Sequence, residues 1–120
     1  MKEYHLGIEA TLEILGGKWK GLIICNLMSG KKRTSELQRS IPGISQKVLI
    51  QQLRELERDG MIGRQVYNQM PPKVEYYITE YGTTANGIID VMCSWGRANI
   101  AIRQQQGEEV MLLENNPDDE

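Results

Sequence analysis

The sequence predicts an α+β domain that is mostly helical, with one two-stranded hairpin near its middle. Two observations lead to this class. Apolar residues recur at helical spacing over most of the chain, and glycine or proline stands at the ends of the periodic stretches. Residues 62–68 and 74–78 instead have the character of two short strands, and the alternation of half-buried strands is clearest in the second.

The size and composition describe one ordinary globular domain. The chain has 120 residues, of which 40% are hydrophobic and 25% are charged, enough for a single modest core. No apolar run approaches the roughly 18 residues of a membrane span, and the N-terminus lacks the apolar core of a signal peptide. We therefore expect a cytoplasmic protein with no membrane partner. One domain should cover residues 1–103, followed by an acidic, partly disordered tail over residues 104–120.

Chemically reactive side chains are scarce. The chain has one histidine, His5, and two cysteines, Cys25 and Cys93, without a Cys-x-x-Cys pair. These are too few for a zinc site or a disulfide scaffold, and His5 has neither Ser nor Cys beside it for nucleophilic catalysis. We expect no enzyme, no metal and no cofactor. Cys25 is expected to be a small buried packing residue of the second helix, and Cys93 an inert thiol or a modifiable one on the last helix.

The net charge of −2 hides an asymmetry along the chain. Residues 1–73 hold 12 of the 14 Lys and Arg residues against 7 acids, whereas residues 74–120 hold 2 against 9. A basic half on a slightly acidic chain is typical of a local nucleic-acid surface. Solvated helix faces give the same count, so charge alone leaves both interpretations open.

Four helices are predicted ahead of the hairpin. Apolar stripes mark the first two: Ile8, Leu12 and Leu15 before Gly16-Gly17, then Trp19, Leu22, Ile23, Leu27 and Met28 before Ser29-Gly30. A short third helix is expected over residues 36–40, with Ser35 as its N-cap and Gln38 completing a capping box. The fourth helix follows the N-cap candidate Ser45 and stops at Asp59-Gly60.

The hairpin and a last long helix complete the predicted order. Strands are expected over residues 62–68 and 74–78, with Met70-Pro71-Pro72 at the tip, where the missing proline N–H harms no ladder. In the second strand Val74, Tyr76 and Ile78 share a face. Thr79 is expected to cap the last helix. That helix carries Ile88, Ile89, Met92, Trp95, Ile100 and Ile102.

Residues 35–60 have the features of a helix-turn-helix unit, whose second helix enters the major groove of DNA. The turn is Pro42-Gly43, and a hairpin directly after the second helix gives the winged form of the unit. The two helices can be locked together by Leu37, Ile41, Ile44, Leu49 and Leu53. The outward positions, which we expect to read bases, are Ser45, Gln46, Lys47, Ile50, Gln51 and Arg54.

These residue types suit base recognition. A Gln amide can pair with adenine, Lys and Arg can donate to guanine, and Ile50 can contact a thymine methyl group. Contacts to phosphate, which set register without reading sequence, are expected from Lys31, Lys32, Arg33, Ser35 and Lys73. An ordinary solvated helix face would carry the same residues, so the pattern alone does not decide.

Several blocks of the sequence resemble the HxlR-type winged helix-turn-helix regulators of bacteria, in the order of that family and over roughly residues 8–96. The blocks are Ile14-Leu15-Gly16-Gly17-Lys18-Trp19-Lys20, Pro42-Gly43-Ile44-Ser45-Gln46-Lys47-Val48-Leu49, Leu53-Arg54-Glu55-Leu56-Glu57-Arg58-Asp59-Gly60 with Arg64, Pro72-Lys73-Val74-Glu75-Tyr76, and Ile78-Thr79-Glu80-Tyr81-Gly82. The resemblance implies a homodimeric transcription factor on a two-fold-related operator. It also implies that additional N- and C-terminal helices build the dimer interface. The candidates for that interface are Ile8, Leu12, Ile88, Ile89, Met92 and Trp95.

The sequence departs from the family in two places. Members commonly carry a cysteine shortly before the first helix, used by some as a redox or electrophile sensor, whereas the alignable positions here are His5 and Leu6. The usual aromatic residue after the basic loop is Thr34, which should weaken packing at the start of the third helix. The first departure puts the signal in doubt, and a small-molecule effector is left open.

The leading hypothesis is a homodimeric, sequence-specific regulator that binds double-stranded DNA. Two other classes remain: a winged-helix protein-interaction module, which would dimerise without salt-sensitive DNA binding, and a small-molecule binding protein, whose melting temperature a ligand would raise.

Overall fold

The computed structural model describes residues 1–113. In this part of the chain the elements are α1 Gly7–Leu15, α2 Lys20–Leu27, α3 Thr34–Ser40, α4 Gln46–Arg58, β1 Ile62–Tyr67, β2 Lys73–Ile78 and α5 Asn86–Gln105, with a 3₁₀ turn over Gly82–Ala85 ahead of α5. This order confirms the predicted mostly helical α+β fold with a two-stranded wing. The predicted tail beyond residue 113 lies outside the described residues.

The chain forms two compact units. The first, Met1–Asn86, contains α1 to α4, the wing and the 3₁₀ turn. The second begins at Gly87 and contains nearly all of α5. None of the helices within residues 1–113 combines the length and the apolar character needed to cross a membrane.

Most of the core lies in the first unit. Leu15, Ile23 and Leu27 of the predicted stripes are buried, whereas Ile8, Leu12 and Leu22 are exposed. The largest side chains that are almost fully buried come from α2, α3, α4, β1 and the turn between α3 and α4: Ile23, Ile24, Leu37, Ile41, Leu49, Leu53, Leu56 and Ile62. Burial of each such aliphatic side chain contributes roughly 1.5–3 kcal/mol. Five of these residues belong to the helix-turn-helix unit, so the core also fixes the angle between its two helices.

The start of α4 is built as the sequence predicts. The backbone N–H of Val48 donates to Ser45 Oγ at 3.2 Å, so Ser45 caps the helix. Ile44 and Leu49, two of the residues predicted to lock the helices together, are both buried and have the spacing of a hydrophobic staple around this cap. The helix ends before Gly60, whose φ of +78° lies in the left-handed region that glycine adopts readily. Both ends of α4 are therefore set by local signals.

The prediction for the start of α3 was wrong. The helix begins at Thr34, and the carboxylate of Glu36 accepts from the backbone N–H of Arg33 at 3.1 Å. Because the helix begins one residue before Ser35, Ser35 lies inside the first turn and does not cap it. Glu36 instead satisfies the backbone donor at the helix start. Thr34 is half-buried at the first helical position.

Cys25 is exposed, which corrects the expectation that it is a buried packing residue. The buried face of α2 is formed by Lys20, Ile23, Ile24 and Leu27, at helical spacing. Cys25 lies on the opposite face, where Leu22 is also exposed. An apolar helix gives no sequence signal for which face is inside.

The base of the wing is closed by Thr79. Its backbone N–H donates to the carbonyl of Met61 at 3.1 Å, and its hydroxyl donates to the carbonyl of Gly60 at 2.6 Å. The hydroxyl oxygen also accepts from the N–H of Gly82 at 2.9 Å. Thr79 therefore caps the 3₁₀ turn rather than α5 itself, and joins the end of β2 to the residues just before β1.

Candidate nucleic-acid interface

The outward face of α4 collects the predicted base-reading residues. Gln46, Lys47, Gln51 and Arg54 are exposed and Ile50 is half-buried, and these five side chains line one shallow depression. The face exists because Leu49, Leu53 and Leu56 bury the opposite side of the helix. Ser45 is also exposed, but its hydroxyl already accepts the Val48 N–H. Five of the six candidates thus form one surface, and the sixth is a cap at its edge.

Three of these side chains have polar groups ready for a ligand. Within residues 1–113, the side chains of Gln46, Lys47 and Arg54 make no hydrogen bond or ion pair. The positive end of the helix dipole lies at the same end of α4 as Gln46 and Lys47. This helix face therefore offers two cations and the unengaged amide of Gln46, which are the donor and acceptor types that base edges in the major groove pair with.

Gln51 differs, because its amide is held within the chain. Its Nε2 donates to Glu55 Oε2 at 3.5 Å, one helical turn further along α4. The same carboxylate accepts from Gln52 Nε2 at 3.4 Å and from Lys20 Nζ of α2 at 3.5 Å. This group of contacts has no local signal in the sequence, because Lys20 and Glu55 are 35 positions apart.

The basic loop before α3 is attached to the wing. Lys32 forms an isolated antiparallel bridge with Tyr76 of β2. Lys31 Nζ donates to Gln65 Oε1 of β1 at 2.6 Å and lies 5.7 Å from the centre of the Tyr77 ring. Both lysines are therefore positioned by the sheet as well as by the loop.

The remaining loop candidates are less constrained. Arg33 and Ser35 are exposed at the start of α3. The ammonium group of Lys32 donates to Ser29 Oγ at 3.2 Å, a neutral partner that leaves its charge uncompensated. Lys31, Lys32 and Arg33 lie directly ahead of α3, and Ser35 lies in its first turn.

In the wing, the Lys73 side chain is engaged by its neighbours. Its Nζ lies 3.8 Å from Glu75 Oε1 and 4.8 Å from the centre of the Tyr67 ring. Tyr67 donates its hydroxyl to the same glutamate oxygen at 2.8 Å, and this hydrogen bond raises the pKa of Tyr67. Glu75 offsets part of the charge of Lys73, which weakens it as a phosphate ligand.

Two exposed arginines were missed as candidates. Arg39 of α3 and Arg64 of β1 have no hydrogen-bonding or ionic partner in the described part of the chain. Arg64 pairs in register with Tyr76, the residue that also bridges to the basic loop. The alternation of β1 gave no signal for Arg64, because it places Arg64 on the same face as the buried Ile62.

Exposed apolar side chains occur on α1 and, separately, on α5. On α1, Ile8 and Leu12 are each 58% exposed. On α5, Ile88, Met92 and Trp95 are 43%, 57% and 70% exposed, whereas Ile89 is only 3% exposed. Ile89 therefore belongs to the core of the chain, and the other five candidates remain available to a partner.

A family comparison accounts for this arrangement. The model of the HxlR-like helix-turn-helix family matches residues 14–104. The chain belongs to this family. The match extends from the last residues of α1 to nearly the end of α5, so it includes the helix-turn-helix unit and the wing.

Individual HxlR-like proteins are similar over most of their length. The HTH-type transcriptional regulator YtcD of Bacillus subtilis (strain 168) is 56% identical over 113 residues, covering 94% of this chain and 88% of YtcD. A crystal structure of ytcD superposes with a TM-score of 0.76 at 58% identity, covering 80% of this chain and 98% of that one. The structure of the redox regulator HypR in its reduced form superposes with a TM-score of 0.79 at 46% identity, covering 83% of this chain and 99% of the HypR chain.

Proposed function

We propose that this chain is a homodimeric transcriptional regulator that binds a two-fold-related operator in double-stranded DNA. The outward face of α4 carries the proposal: it is the second helix of a helix-turn-helix unit and presents two cations and two polar amides. Membership in the HxlR-like family and the similarity to regulators such as YtcD support the DNA-binding role.

In this proposal α4 reads bases in the major groove. Gln46 and Gln51 contact adenine, Lys47 and Arg54 donate to guanine, and Ile50 contacts a thymine methyl group. The role of Ser45 is to hold the start of α4 in place, because its hydroxyl accepts the Val48 N–H as a helix cap. The side chains without an intrachain partner need break no existing bond before they contact DNA.

Contacts to phosphate surround the helix-turn-helix unit. Lys31, Lys32 and Arg33 approach the backbone from the loop before α3, Ser35 from the first turn of α3, and Lys73 from the wing. The attachment of Lys31 and Lys32 to the sheet gives loop and wing a shared position. We add Arg39 and Arg64, whose exposed charges have no partner among residues 1–113.

Dimerisation would bring two copies of α4 to successive turns of the duplex, roughly 34–36 Å apart. A second copy of the chain would cover apolar side chains whose exposure to water is unfavourable. These are Ile8 and Leu12 on α1, and Ile88, Met92 and Trp95 on α5. An effector that changes the spacing of the two recognition helices would change operator affinity. His5 and Leu6 offer no thiol ahead of α1, so we do not extend the redox role named for HypR to this chain.

The test is a selection from a genomic DNA library at two salt concentrations, followed by sequencing of the fragments retained at the higher one. An inverted repeat with half-sites about one turn apart is the expected result. Salt-sensitive binding without a shared motif would contradict sequence-specific recognition. Strong dimerisation with no DNA binding at either salt would favour the protein-interaction module, and a ligand that raises the melting temperature would add a sensing role.

A further inference from the structure

The carboxylate of Glu55 connects the outward face of α4 to the core. Its Oε2 accepts from the amides of Gln51 and Gln52, at 3.5 and 3.4 Å, and its Oε1 lies 3.5 Å from Lys20 Nζ. Of the three donors, only Gln51 belongs to the depression on α4. A single acidic group therefore contacts a base-reading candidate and two residues outside that surface.

Lys20 fixes the position of this carboxylate. Only 8% of Lys20 is exposed, on the buried face of α2. A buried ammonium group requires a counter-charge, and among the described residues Glu55 is the one that supplies it. Because Lys20 of α2 contacts Oε1 and the amide of Gln52 on α4 contacts Oε2, the carboxylate that accepts from Gln51 is held from two helices.

We propose that Glu55 is a positioning residue for base readout, which holds the amide of Gln51 in one orientation before DNA is bound. The inference rests on the proposed function and deepens it. With Nε2 turned toward Glu55, the carbonyl Oε1 of Gln51 and its second N–H are left for a ligand. One acceptor and one donor side by side are what the major-groove edge of adenine pairs with.

The orientation also reduces the cost of binding. A free Gln side chain samples many rotamers and loses that freedom when it contacts a base. Gln51 has already lost part of it through Glu55, whereas Gln46 has no side-chain partner within residues 1–113. The two glutamines of the same helix face are therefore a matched pair, one held and one unrestrained.

The first measurement needs no substitution. NMR relaxation of the side-chain amide ¹⁵N groups in the full-length protein, without DNA, should give a higher order parameter for Gln51 than for Gln46. Equal mobility of the two amides would overturn the proposal, whether or not the protein binds DNA.

The second measurement is a double-mutant cycle on the operator. Its variants are Gln51→Ala, the paired change Lys20→Met with Glu55→Leu, and all three together. The paired change removes both charges while keeping similar volume, so no buried ammonium group is left alone. Discrimination between the operator and a variant with one adenine replaced is measured for each, together with the salt dependence of binding.

We expect Gln51→Ala to reduce discrimination by about five- to a hundredfold, the range of a bidentate base contact. The paired change should remove part of the same preference with an unchanged salt slope, and adding Gln51→Ala to it should then reduce discrimination by less than it does in the parent. Gln52→Ala, a control that removes the other amide on Glu55, should leave base preference as in the parent.

Strictly additive effects would show that Glu55 acts only on the fold and would overturn the proposal, while the DNA-binding function stood. Absence of any sequence preference in the unmodified protein would instead reject the proposed function itself. The NMR comparison then still decides whether Glu55 orients the amide.

Discussion

The backbones of Lys32 and Tyr76 are joined by a reciprocal pair of hydrogen bonds. The N–H of Lys32 donates to the carbonyl of Tyr76 at 3.0 Å, and the N–H of Tyr76 donates to the carbonyl of Lys32 at 2.8 Å. Tyr76 is buried and lies in the middle of β2, so the basic loop is attached to the wing through a residue of the core. The position of the basic loop, and of its lysines, is thus fixed by its hydrogen bonds to the sheet.

Lys32→Pro is expected to loosen this attachment. Proline removes the N–H donor, so the carbonyl of the buried Tyr76 loses its partner. The free energy of unfolding should therefore fall by about 1–3 kcal/mol. DNA affinity should fall further than the loss of one charge explains. The control is Lys32→Ala, which removes the charge and keeps both backbone bonds. Denaturant unfolding and binding titrations compare the two, and equal stabilities would contradict the role of the bridge.

Ser45→Ala should destabilise the protein by about 0.5–2 kcal/mol, because the N–H of Val48 loses its acceptor. Ser35→Ala is the matched control, since Ser35 lies within the first turn of α3 and the Arg33 N–H is satisfied by Glu36. Chemical denaturation of both variants gives the comparison. If the Ser35 variant lost as much stability as the Ser45 variant, the start of α3 would have to be reassigned.

Arg54→Ala is expected to reduce operator discrimination by roughly 1–3 kcal/mol and leave the unfolding free energy nearly unchanged. The reason is that its guanidinium group has no partner within residues 1–113, while its position on α4 faces outward. Arg58→Ala removes the same charge from the same helix and serves as the control, because Arg58 pairs with Asp59 at 3.5 Å. Competition titrations with mutated operators measure both, and identical footprints for Arg54→Ala and the parent would exclude base reading.

Glu75→Gln should strengthen DNA binding. The amide still accepts from the Tyr67 hydroxyl but no longer offsets the charge of Lys73. The slope of log affinity against log salt should steepen by up to about 0.9, the value for one additional phosphate contact. Glu80→Gln is the control, because it removes one negative charge from an exposed residue beyond the wing. It measures the effect of net charge alone on the salt dependence of binding. If both variants gave the same slope of log affinity against log salt, Lys73 would not contact a phosphate group.

The N-terminal residues give a prediction about pH. Hydrogen bonds from Lys2 and Tyr4 lower the pKa of Glu13 below its ordinary 4.5. Because the folded-state pKa is the lower one, the contribution of this group to stability is present above the unfolded pKa and lost as pH falls through the folded one. NMR titration should find the Glu13 midpoint below 4.5, and Lys2→Met should raise it. A midpoint unaffected by that change would mean that the Lys2 contact does not persist in solution.

The sequence predicted the parts of the molecule that local signals determine. Leu49, Leu53 and Leu56 repeat at helical spacing and Ser45 stands directly before them, so α4 and its outward face follow without knowledge of the rest of the chain. The start of α3 did not follow, because adjacent Ser35 and Glu36 can each satisfy a helix start.

Features that depend on tertiary packing were beyond reach of the sequence. Cys25 and Ile24 are neighbours in an apolar helix, and only packing decides that one is exposed and the other buried. The same holds for Ile88 and Ile89 in α5. The ion pair between Lys20 and Glu55 is similarly non-local, because the two residues belong to different helices. Lys73 and Glu75, in contrast, are two residues apart on one strand and therefore share a face.

The bonds of Thr79 give the hairpin one fixed end and one open end. Around Gly60 and Met61 the chain is tied down by both the backbone and the hydroxyl of this threonine, whereas Asn68, Gln69 and Met70 at the other end are exposed. Residues added or removed between the two strands would therefore disturb no bond at the base. The length of the wing can therefore change while the bonds that hold its base to the rest of the domain stay the same.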